Sequence, residues 1–463
     1  MKRNLILAIC IVACLVLSGC SGGNVGGGIV PDDGFEPSVD EGAGSELHQR
    51  YEKYRSDSAI AFDSVPVAHE DCFVTEEVEG GVRIVDYVSD SKVVRIPGAF
   101  GDGGRTVVSI AEGAFADKNM RAIYIPDSVK QMDMGALEGC AGIVTVRLPR
   151  LFGGYLGYVF GADEYGKNAV TVPSSLDTVI LGESVTEIPE NAFSGCKTLS
   201  CVVLPQTAEK IGKFAFFECR DLVYADLGDS LAHIDTYAFA ECNNLYAIDC
   251  GASVIGLGAF YRCISLNKIT VSAIGNGEVA HLGYIFGAQT SEYGADFVPA
   301  SLRTVTLGED CKNIPPMAFA RCDRITSVIL PEGIESIGTR AFYRCRSLSK
   351  ISFPDSLKSI GDDAFFGCDA LVCVSFGQGL EDLGMQAFLD CGAIKSIELP
   401  ESLREIKPST FYGCKSLVTV KLGGVKKIGK DAFGECQRLV PMALDGIEVA
   451  EGNEALVTVS VTN

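Results

Sequence analysis

The stretch LSKISFPDSLKSIGDDAFFGC, residues 348–368, is one copy of a unit that recurs about every 23 residues along the chain. Each unit carries Ala-Phe followed three residues later by Cys. Full copies of this pattern begin at Ala192, Ala215, Ala238, Ala259, Ala318, Ala341, Ala364 and Ala387, and variants begin at Ala114, Ala136, Thr410 and Ala432. A fixed period of this length is typical of a solenoid, in which each coil contacts only its neighbours. We therefore predict one elongated repeat body over residues 111–440.

Each unit has the pattern of one short strand followed by a turn. Ile351 and Phe353 alternate with polar residues, which predicts a strand with one face inward. Pro354 ends this strand because it has no N–H for the ladder, and Gly361 suits a tight turn. The Ala-Phe pair then fills the core from the opposite side. Since every unit runs in the same direction, we predict a repeat solenoid of about 12–13 coils with parallel strands, short turns and 3₁₀ segments.

The unit resembles the BspA-like leucine-rich repeat of bacterial surface proteins, because it has the same Ile-Gly…Ala-Phe…Cys spacing. The resemblance covers most of the chain and implies a leucine-rich-repeat fold. The segment from Phe73 to Pro97 is similar to the N-terminal capping region of that family, and a solenoid needs an atypical end unit to cover its apolar end. The predicted divisions are a signal peptide at 1–19, a flexible tether at 20–64, an N-terminal cap at 65–110, the repeat body at 111–440 and a C-terminal cap at 441–463.

The N-terminus has the pattern of an export signal. Lys2 and Arg3 precede an apolar run, residues 5–17, that is too short to span a membrane as a mature helix. The sequence LSGC at residues 17–20 resembles the lipobox of bacterial lipoproteins, which implies that Cys20 is lipidated; the alternative is an ordinary secretory signal with a coincidental Cys. The Gly-rich residues that follow favour a flexible tether. Such an anchor would hold the protein exposed on the cell envelope, in either an outer membrane or a single membrane.

The chain contains 19 cysteines, most of them at the repeat position. One Cys per coil at a constant phase predicts a single interior column. Disulfides are one alternative, because exported chains with many cysteines are often bridged. Parallel Cβ vectors seldom give the dihedral angle that a bridge needs, so we favour free thiols that pack as small hydrophobic groups. Metal binding is not expected, since the cysteines are not grouped as Cys-x-x-Cys pairs.

Two coils, at 143–181 and 266–307, are longer than the others. Their additions resemble each other, because LGYVFGA at 156–162 recurs as LGYIFGA at 282–288. Insertions in repeat proteins form loops on one face, which is often the binding face. The tyrosines of these insertions are candidate ligand-binding residues: Tyr155, Tyr158, Tyr165, Tyr284 and Tyr293. The alternative is that the aromatic side chains turn inward to cover the enlarged coil, which we expect for Phe160 and Phe286.

The outward face of the strands is a second candidate binding surface. Alternation along the strand places Tyr224 and Asp226 outward on one coil, with Asp249 beside Asp226 on the next coil and Tyr246 nearby. Neighbouring strands lie roughly 4.8 Å apart, so the two carboxylates would be close. Paired carboxylates can act as acid and base or hold a cation. The alternative is a solvated pair on an open surface.

No catalytic motif is present in the sequence. The four histidines are scattered, and neither a Ser-His-Asp order, a zinc signature nor a nucleotide fingerprint occurs. The net charge of −21 argues against nucleic acid as a partner. We expect a monomeric surface lipoprotein, with no cofactor, that binds a protein or glycan without catalysis. The resemblance implies adhesion to host extracellular matrix or to other cell-surface proteins. The alternative is a glycan-capture protein or a hydrolase that uses the strand-face aspartates.

Overall fold

The computed structural model describes residues 47–50, 52–54, 65–101, 104–272, 274 and 279–456. The predicted signal peptide, Cys20 and most of the predicted tether lie outside these residues, as does the end of the predicted C-terminal cap. From residue 93 onward the described chain forms a solenoid of stacked parallel strands. This confirms the predicted class, a solenoid of parallel strands, although the described residues contain 14 longer strands where 12–13 coils were predicted.

The longer strand of each coil lies in one column. These strands pair in parallel at equivalent repeat positions, so that Cys201 pairs with Thr178 on one side and with Tyr224 on the other. Within the described residues, the ladder of hydrogen bonds is interrupted after Asp226 and after Ser375. The strands of the column are Val93–Arg95, Ala122–Tyr124, Thr145–Leu148, Thr178–Leu181, Cys201–Val203, Tyr224–Asp226, Ala247–Cys250, Lys268–Val271, Thr304–Leu307, Ser327–Ile329, Lys350–Ser352, Cys373–Ser375, Ser396–Glu398 and Thr419–Lys421.

A second column of two-residue strands follows the first in the coils of ordinary length, and the sequence did not predict it. It forms where the buried Ile of the Ile-Gly step pairs in parallel with its equivalent in the next coil, as Ile337 does with Ile360. In the two enlarged coils, short helices take the place of this strand. The strands of this column are Gln131–Met132, Glu187–Ile188, Lys210–Ile211, His233–Ile234, Val254–Ile255, Asn313–Ile314, Ser336–Ile337, Ser359–Ile360, Asp382–Leu383, Glu405–Ile406, Lys427–Ile428 and Glu448–Val449.

The glycine after the second strand is needed because two backbones approach closely. A Cβ at Gly361 would lie 2.6 Å from the amide nitrogen of Thr339 in the preceding coil. The left-handed conformations fall elsewhere in the coil, on the residue before Ala-Phe and the residue before Cys, such as Phe214 (φ 55°) and Glu218 (φ 57°). The glycine therefore serves the packing between coils, whereas the sequence suggested a role in a turn.

The core is a stack of phenylalanine rings, one for each coil. The rings of Phe193, Phe216 and Phe239 lie parallel, with successive centroids 4.8 Å apart. Offset stacking of this kind adds to the hydrophobic stabilisation that comes from burial. The stack resumes after the second enlarged coil at Phe319 and continues to Phe433.

The repeat cysteines form the predicted buried column, and nine of its thiols make the same hydrogen bond. The Sγ of Cys219 donates to the carbonyl oxygen of Phe193 in the preceding coil at 3.2 Å, and Cys242 donates to Phe216 at 3.1 Å. The bond recurs from Cys140, Cys263, Cys345, Cys368, Cys391, Cys414 and Cys436. All 16 cysteines of the described residues are thiols that form no disulfide. Cysteine suits the position because it is small, apolar and still a donor.

The N-terminal end departs from the repeat. Phe73–Val78 and Gly81–Tyr87 form an antiparallel hairpin, and the second strand pairs in parallel with Arg105–Ile110. Ala99–Phe100 pairs antiparallel with the start of that third strand, and the 3₁₀ turn Glu70–Cys72 precedes the hairpin. This arrangement covers the apolar end of the first coils.

Asn453 closes the C-terminal end of the row of Ala-Phe turns. Its Oδ1 accepts a hydrogen bond from the backbone N–H of Phe433 at 2.9 Å, and its Nδ2 donates to the carbonyl oxygen of Gly429 at 2.9 Å. In the preceding coil the corresponding amide, that of Phe411, donates instead to the backbone carbonyl of Ala432. The side chain of Asn453 thus makes the hydrogen bond that the backbone of the following coil makes elsewhere in the solenoid. The 3₁₀ turn Glu454–Leu456 follows it.

The two enlarged coils contain short helices instead of open loops. The first holds the 3₁₀ turns Phe152–Gly154, Leu156–Phe160 and Tyr165–Lys167 and the α-helix Asn168–Thr171. The second holds the 3₁₀ turns Leu282–Phe286 and Ser291–Tyr293 and the α-helix Gly294–Phe297. Phe160 and Phe286 are buried in the core, as predicted.

Residues 47–50 and 52–54 are helical and lie against the longer-strand column. The sequence predicted a flexible tether over 20–64, so this part of the chain differs from that prediction. A helix of this length is marginal in water, and its contacts with the solenoid supply the stabilisation that the isolated segment lacks. No helix among the described residues is long and apolar enough to cross a bilayer.

Candidate binding surfaces

The strand face carries the four residues predicted for it, and its two aspartates lie on neighbouring coils. Tyr224, Asp226 and Tyr246 are half-buried and Asp249 is exposed. The strands that hold Asp226 and Asp249 are adjacent, but the hydrogen-bonded ladder is interrupted between them. The carboxylate of Asp226 accepts a hydrogen bond from the backbone N–H of Gly228 at 3.3 Å. The strand face therefore has mixed aromatic and acidic character.

The helical residues 47–50 and 52–54, together called the segment at 47–54, pack beside this strand face. The hydroxyl of Tyr54 donates to Oδ1 of Asp177 at 2.7 Å, and the ring of His48 lies 5.5 Å from the ring of Tyr246. The pKa of Tyr54 is raised by burial and by its bond to Asp177, and the pKa of Tyr246 is raised by burial and by the nearby carboxylate of Glu52. A segment of the chain thus already occupies part of the candidate surface. The sequence offered a weak signal for it, since Leu47, Tyr51 and Tyr54 recur at the i, i+4 and i+7 spacing of one helix face.

The tyrosines of the enlarged coils divide into packed and exposed groups. Tyr155 donates to the carbonyl oxygen of Ala162 at 3.0 Å, and its ring meets that of Tyr158 edge to face. Tyr158 and Tyr284 pack against the hydrophobic core. Tyr165 and Tyr293 have exposed fractions of 50% and 57%. Of the tyrosines predicted here, these last two present the most surface to a partner.

The short helices of the enlarged coils hold these tyrosines in place. In the first enlarged coil, Oδ1 of the buried Asn168 accepts from the N–H of Gly157 at 2.8 Å, and its Nδ2 lies 3.4 Å from the carbonyl oxygen of Ala192. The insertion is therefore tied to the following coil. These hydrogen bonds of Asn168 hold the insertion in one position against the following coil.

The second enlarged coil lacks that tie and contains a cleft. Gly294 stands where the first coil has Asn168, and His281 stands where it has Tyr155. His281 is 3% exposed, neither ring nitrogen has a hydrogen-bond partner, and burial lowers its pKa. It lines a cleft of about 370 Å³ together with Val279, Ala280, Gln289, Thr290, Ser291, Pro315 and Pro316. The sequence did not indicate this site.

The cysteine column does not provide nucleophiles. Burial raises the pKa of Cys140 to about 11 and that of Cys436 to about 12, so both are protonated at neutral pH. Within the described residues there is no group of three or more His, Cys, Asp or Glu side chains that could hold a metal ion.

Comparison with protein-family models matches residues 104–162, 163–278 and 297–440 to the BspA type leucine-rich repeat region. Together these residues make up more than half of the chain. The chain belongs to the BspA-type leucine-rich repeat family. The match bears out the resemblance inferred from the Ile-Gly…Ala-Phe…Cys spacing. This BspA-type chain has no match among curated protein sequences.

Several solved leucine-rich repeat structures are similar to this BspA-type protein. A leucine-rich repeat protein from Bacteroides ovatus is 20% identical, with 84% of this chain and 99% of that chain covered and a TM-score of 0.30. A leucine-rich cell surface protein from Faecalibacterium prausnitzii is 21% identical, with 85% and 97% covered and a TM-score of 0.24. The pneumococcal vaccine antigen PcpA is 18% identical, with 84% and 94% covered and a TM-score of 0.26.

Proposed function

We propose that this BspA-type protein is a cell-surface protein, held by a lipid on Cys20, that binds a macromolecular partner without catalysis. The binding surface is the strand face around Tyr224 and Tyr246. The partner is a protein of the host extracellular matrix or of another cell surface. The observation that carries the proposal is the segment at 47–54, because it packs a short stretch of polypeptide against this side of the solenoid.

The shape of the molecule supports a binding role. Stacked coils form an extended, rigid surface on which many modest contacts can add up. Tyrosines are favoured as anchors at such surfaces, because a rigid ring offers a large contact area together with a polar hydroxyl. Half-buried Tyr224 and Tyr246 stand on adjacent coils and have this character.

The strand-face aspartates support binding more than catalysis. An enzyme needs convergent groups in a cleft that excludes water, whereas Asp249 is exposed and Asp226 bonds to the backbone of its own turn. The buried cysteines are protonated and do not supply a nucleophile. We therefore assign the carboxylates a role in partner recognition.

Glycan capture is the second candidate, and the cleft at His281 favours it. The cleft combines an imidazole, hydroxyls and an amide with the apolar faces of Pro315 and Pro316. Alternating polar and apolar groups suit an uncharged sugar ring, which has hydroxyl groups around an apolar face. Such a site would act beside the strand face and would not replace it.

A binding panel tests the proposal. The full chain is applied to immobilised purified matrix proteins and to a glycan array, and the hits are compared for two double variants. Tyr224→Ala with Tyr246→Ala alters the strand face, while Tyr165→Ala with Tyr293→Ala alters the enlarged coils as a matched control. Since anchor residues contribute about 2 kcal/mol each, we expect the first pair to weaken binding to a matrix protein by at least roughly tenfold and the second to leave it unchanged.

Three results would count against the proposal. Loss of binding only in the second pair would place the surface on the enlarged coils. Glycan hits that Tyr224→Ala and Tyr246→Ala do not affect, without any protein hit, would favour the glycan candidate. Hydrolysis of an array glycan that Asp226→Ala abolishes would show that the protein is an enzyme.

A further inference from the structure

The segment at 47–54 lies along a column of equivalent repeat positions. Asp177, Ser200, Val223 and Tyr246 each stand one residue before the longer strand of four consecutive coils. Parallel strands stack at roughly 4.8 Å, so these four positions form a straight row along the solenoid axis. The helical segment packs against this row.

The contacts of the segment span the whole row. Tyr54 donates its hydroxyl to Asp177 at 2.7 Å, at the first of the four coils. Nη2 of Arg50 lies 3.5 Å from Oγ of Ser200 on the second coil. His48 packs on Tyr246 of the fourth coil, with ring centroids 5.5 Å apart. The segment therefore runs along the solenoid axis, with its earlier residues toward the later coils.

The row is chemically distinct where the segment covers it. Among the same positions of the column, a carboxylate occurs only at Asp177 and an aromatic ring only at Tyr246. The other positions of the column are Lys92, Arg121, Val144, Asn267, Arg303, Thr326, Ser349, Val372, Lys395 and Val418. The carboxylate that contacts Tyr54 and the ring that contacts His48 thus each occur at a single position of this column.

The chemistry of the contact favours a specific and reversible association. A phenol that donates to a carboxylate makes a charge-assisted hydrogen bond, which is stronger than a neutral one. Ser200 is only 4% exposed, so its hydroxyl depends on nearby partners. The helix itself is too short to persist in water, which means that docking and helix formation occur together. Release of the segment therefore melts the helix, and a competitor for the row can displace it.

We infer that residues 47–54 are an internal ligand of this row, bound in cis, and that a protein partner of the strand face displaces them. Displacement by a partner rests on the proposed function, because it requires that a partner binds the strand face. Docking in cis concerns only what occupies the face before a partner binds. The kind of partner that fits is a short helix presenting a tyrosine to Asp177 and a ring to Tyr246. A partner can bind only those molecules in which the row is not covered. The apparent association constant for the partner is therefore the intrinsic constant multiplied by the fraction of molecules with an uncovered row.

A tryptophan placed at position 48 reports the docked state, because the chain contains no tryptophan. In the full chain carrying His48→Trp, we expect a blue-shifted emission that acrylamide quenches poorly. Adding Asp177→Asn or Tyr54→Phe removes the charge-assisted bond and should raise the quenching constant at least roughly twofold. Lys395→Ala changes the same repeat position away from the segment and serves as the matched control. Equal quenching in all four proteins would overturn the inference.

Dilution and competition separate the possible occupants. Docking in cis predicts that the indole emission of the His48→Trp chain is independent of protein concentration, whereas a red shift on dilution would show that a second copy supplies the segment and would contradict the inference. A labelled peptide of residues 45–56 should bind the full chain carrying Arg50→Ala and Tyr54→Phe at least roughly tenfold more tightly than it binds the wild-type chain. Equal binding would contradict competition. Neither measurement uses a matrix protein, so failure here is distinguishable from failure of the binding panel.

Discussion

Replacement of Phe365 by Ala should be among the most destabilising single changes in the repeat body. The ring is fully buried between Phe342 and Phe388, at centroid distances of 4.8 Å and 5.0 Å, and meets Phe353 edge to face at 5.6 Å. A Phe→Ala change in a core costs about 3–5 kcal/mol. Contacts with three aromatic rings add to the stabilisation that comes from burial. We therefore expect Phe365→Ala to lower the free energy of unfolding by about 5 kcal/mol, at the upper end of that range.

Leucine at the same position is the matched control. Leu137 occupies the equivalent site of an earlier coil and is fully buried. Phe365→Leu leaves a smaller cavity and should therefore cost about 1–2 kcal/mol.

Hydrogen exchange with peptide resolution is the assay, because each coil contacts only its neighbours and the effect should be local. We expect exchange in residues 342–391 to accelerate by at least roughly a hundredfold in Phe365→Ala, while residues 73–110 remain unchanged. An increase below tenfold, or one spread evenly along the chain, would refute the view that the stacked rings hold adjacent coils together.

Four further predictions follow from particular residues. Iodoacetamide at pH 8, followed by mass spectrometry, should label the exposed Cys373 in the native protein. The repeat thiols should stay unlabelled until urea is added, because burial raises their pKa, to about 11 for Cys140. Asp390→Gly should stabilise the protein by about 1 kcal/mol in urea unfolding, because Asp390 has a φ of 57° that glycine adopts without strain. Asn453→Ala should cost about 2 kcal/mol and should speed exchange only near the C-terminal end, since it leaves two backbone groups unpaired. Burial lowers the pKa of His281 below its usual 6.5, so the unfolded chain takes up a proton at a higher pH than the folded chain. The free energy of unfolding should therefore fall as the pH drops below about 6.5. A His281→Phe variant should lose this dependence when unfolding is measured between pH 7 and pH 5.

The repeat made the fold predictable, because the same residues recur at the same phase. Ala364, Phe365 and Cys368 could be placed in the core without a structure, and the parallel direction of the strands followed from the period. The thiol-to-carbonyl bonds were not predictable, since they depend on which backbone oxygen of the preceding coil faces the Cys. The role of Gly361 was misjudged for a similar reason: the close approach to Thr339 belongs to the neighbouring coil and leaves no mark on the local pattern.

The candidate surfaces were predictable only in part. Alternation placed Tyr224 and Asp226 on the outward face, but it gave no sign that the strand ladder is interrupted after Asp226. The segment at 47–54 was missed although Leu47, Tyr51 and Tyr54 recur at the spacing of one helix face, because the pattern covers only two turns and its contacts reach residues more than a hundred positions away, such as Asp177. Long-range contacts of this kind cannot be inferred from local composition.

The most direct test of the account is a hydrogen-exchange footprint of the full chain with a matrix protein that binds it in the panel. The account predicts protection at residues 224–226 and 247–250 together with faster exchange at 47–54, as the partner takes the strand face and releases the segment. Protection confined to residues 152–171 and 282–297, with 47–54 unchanged, would contradict it.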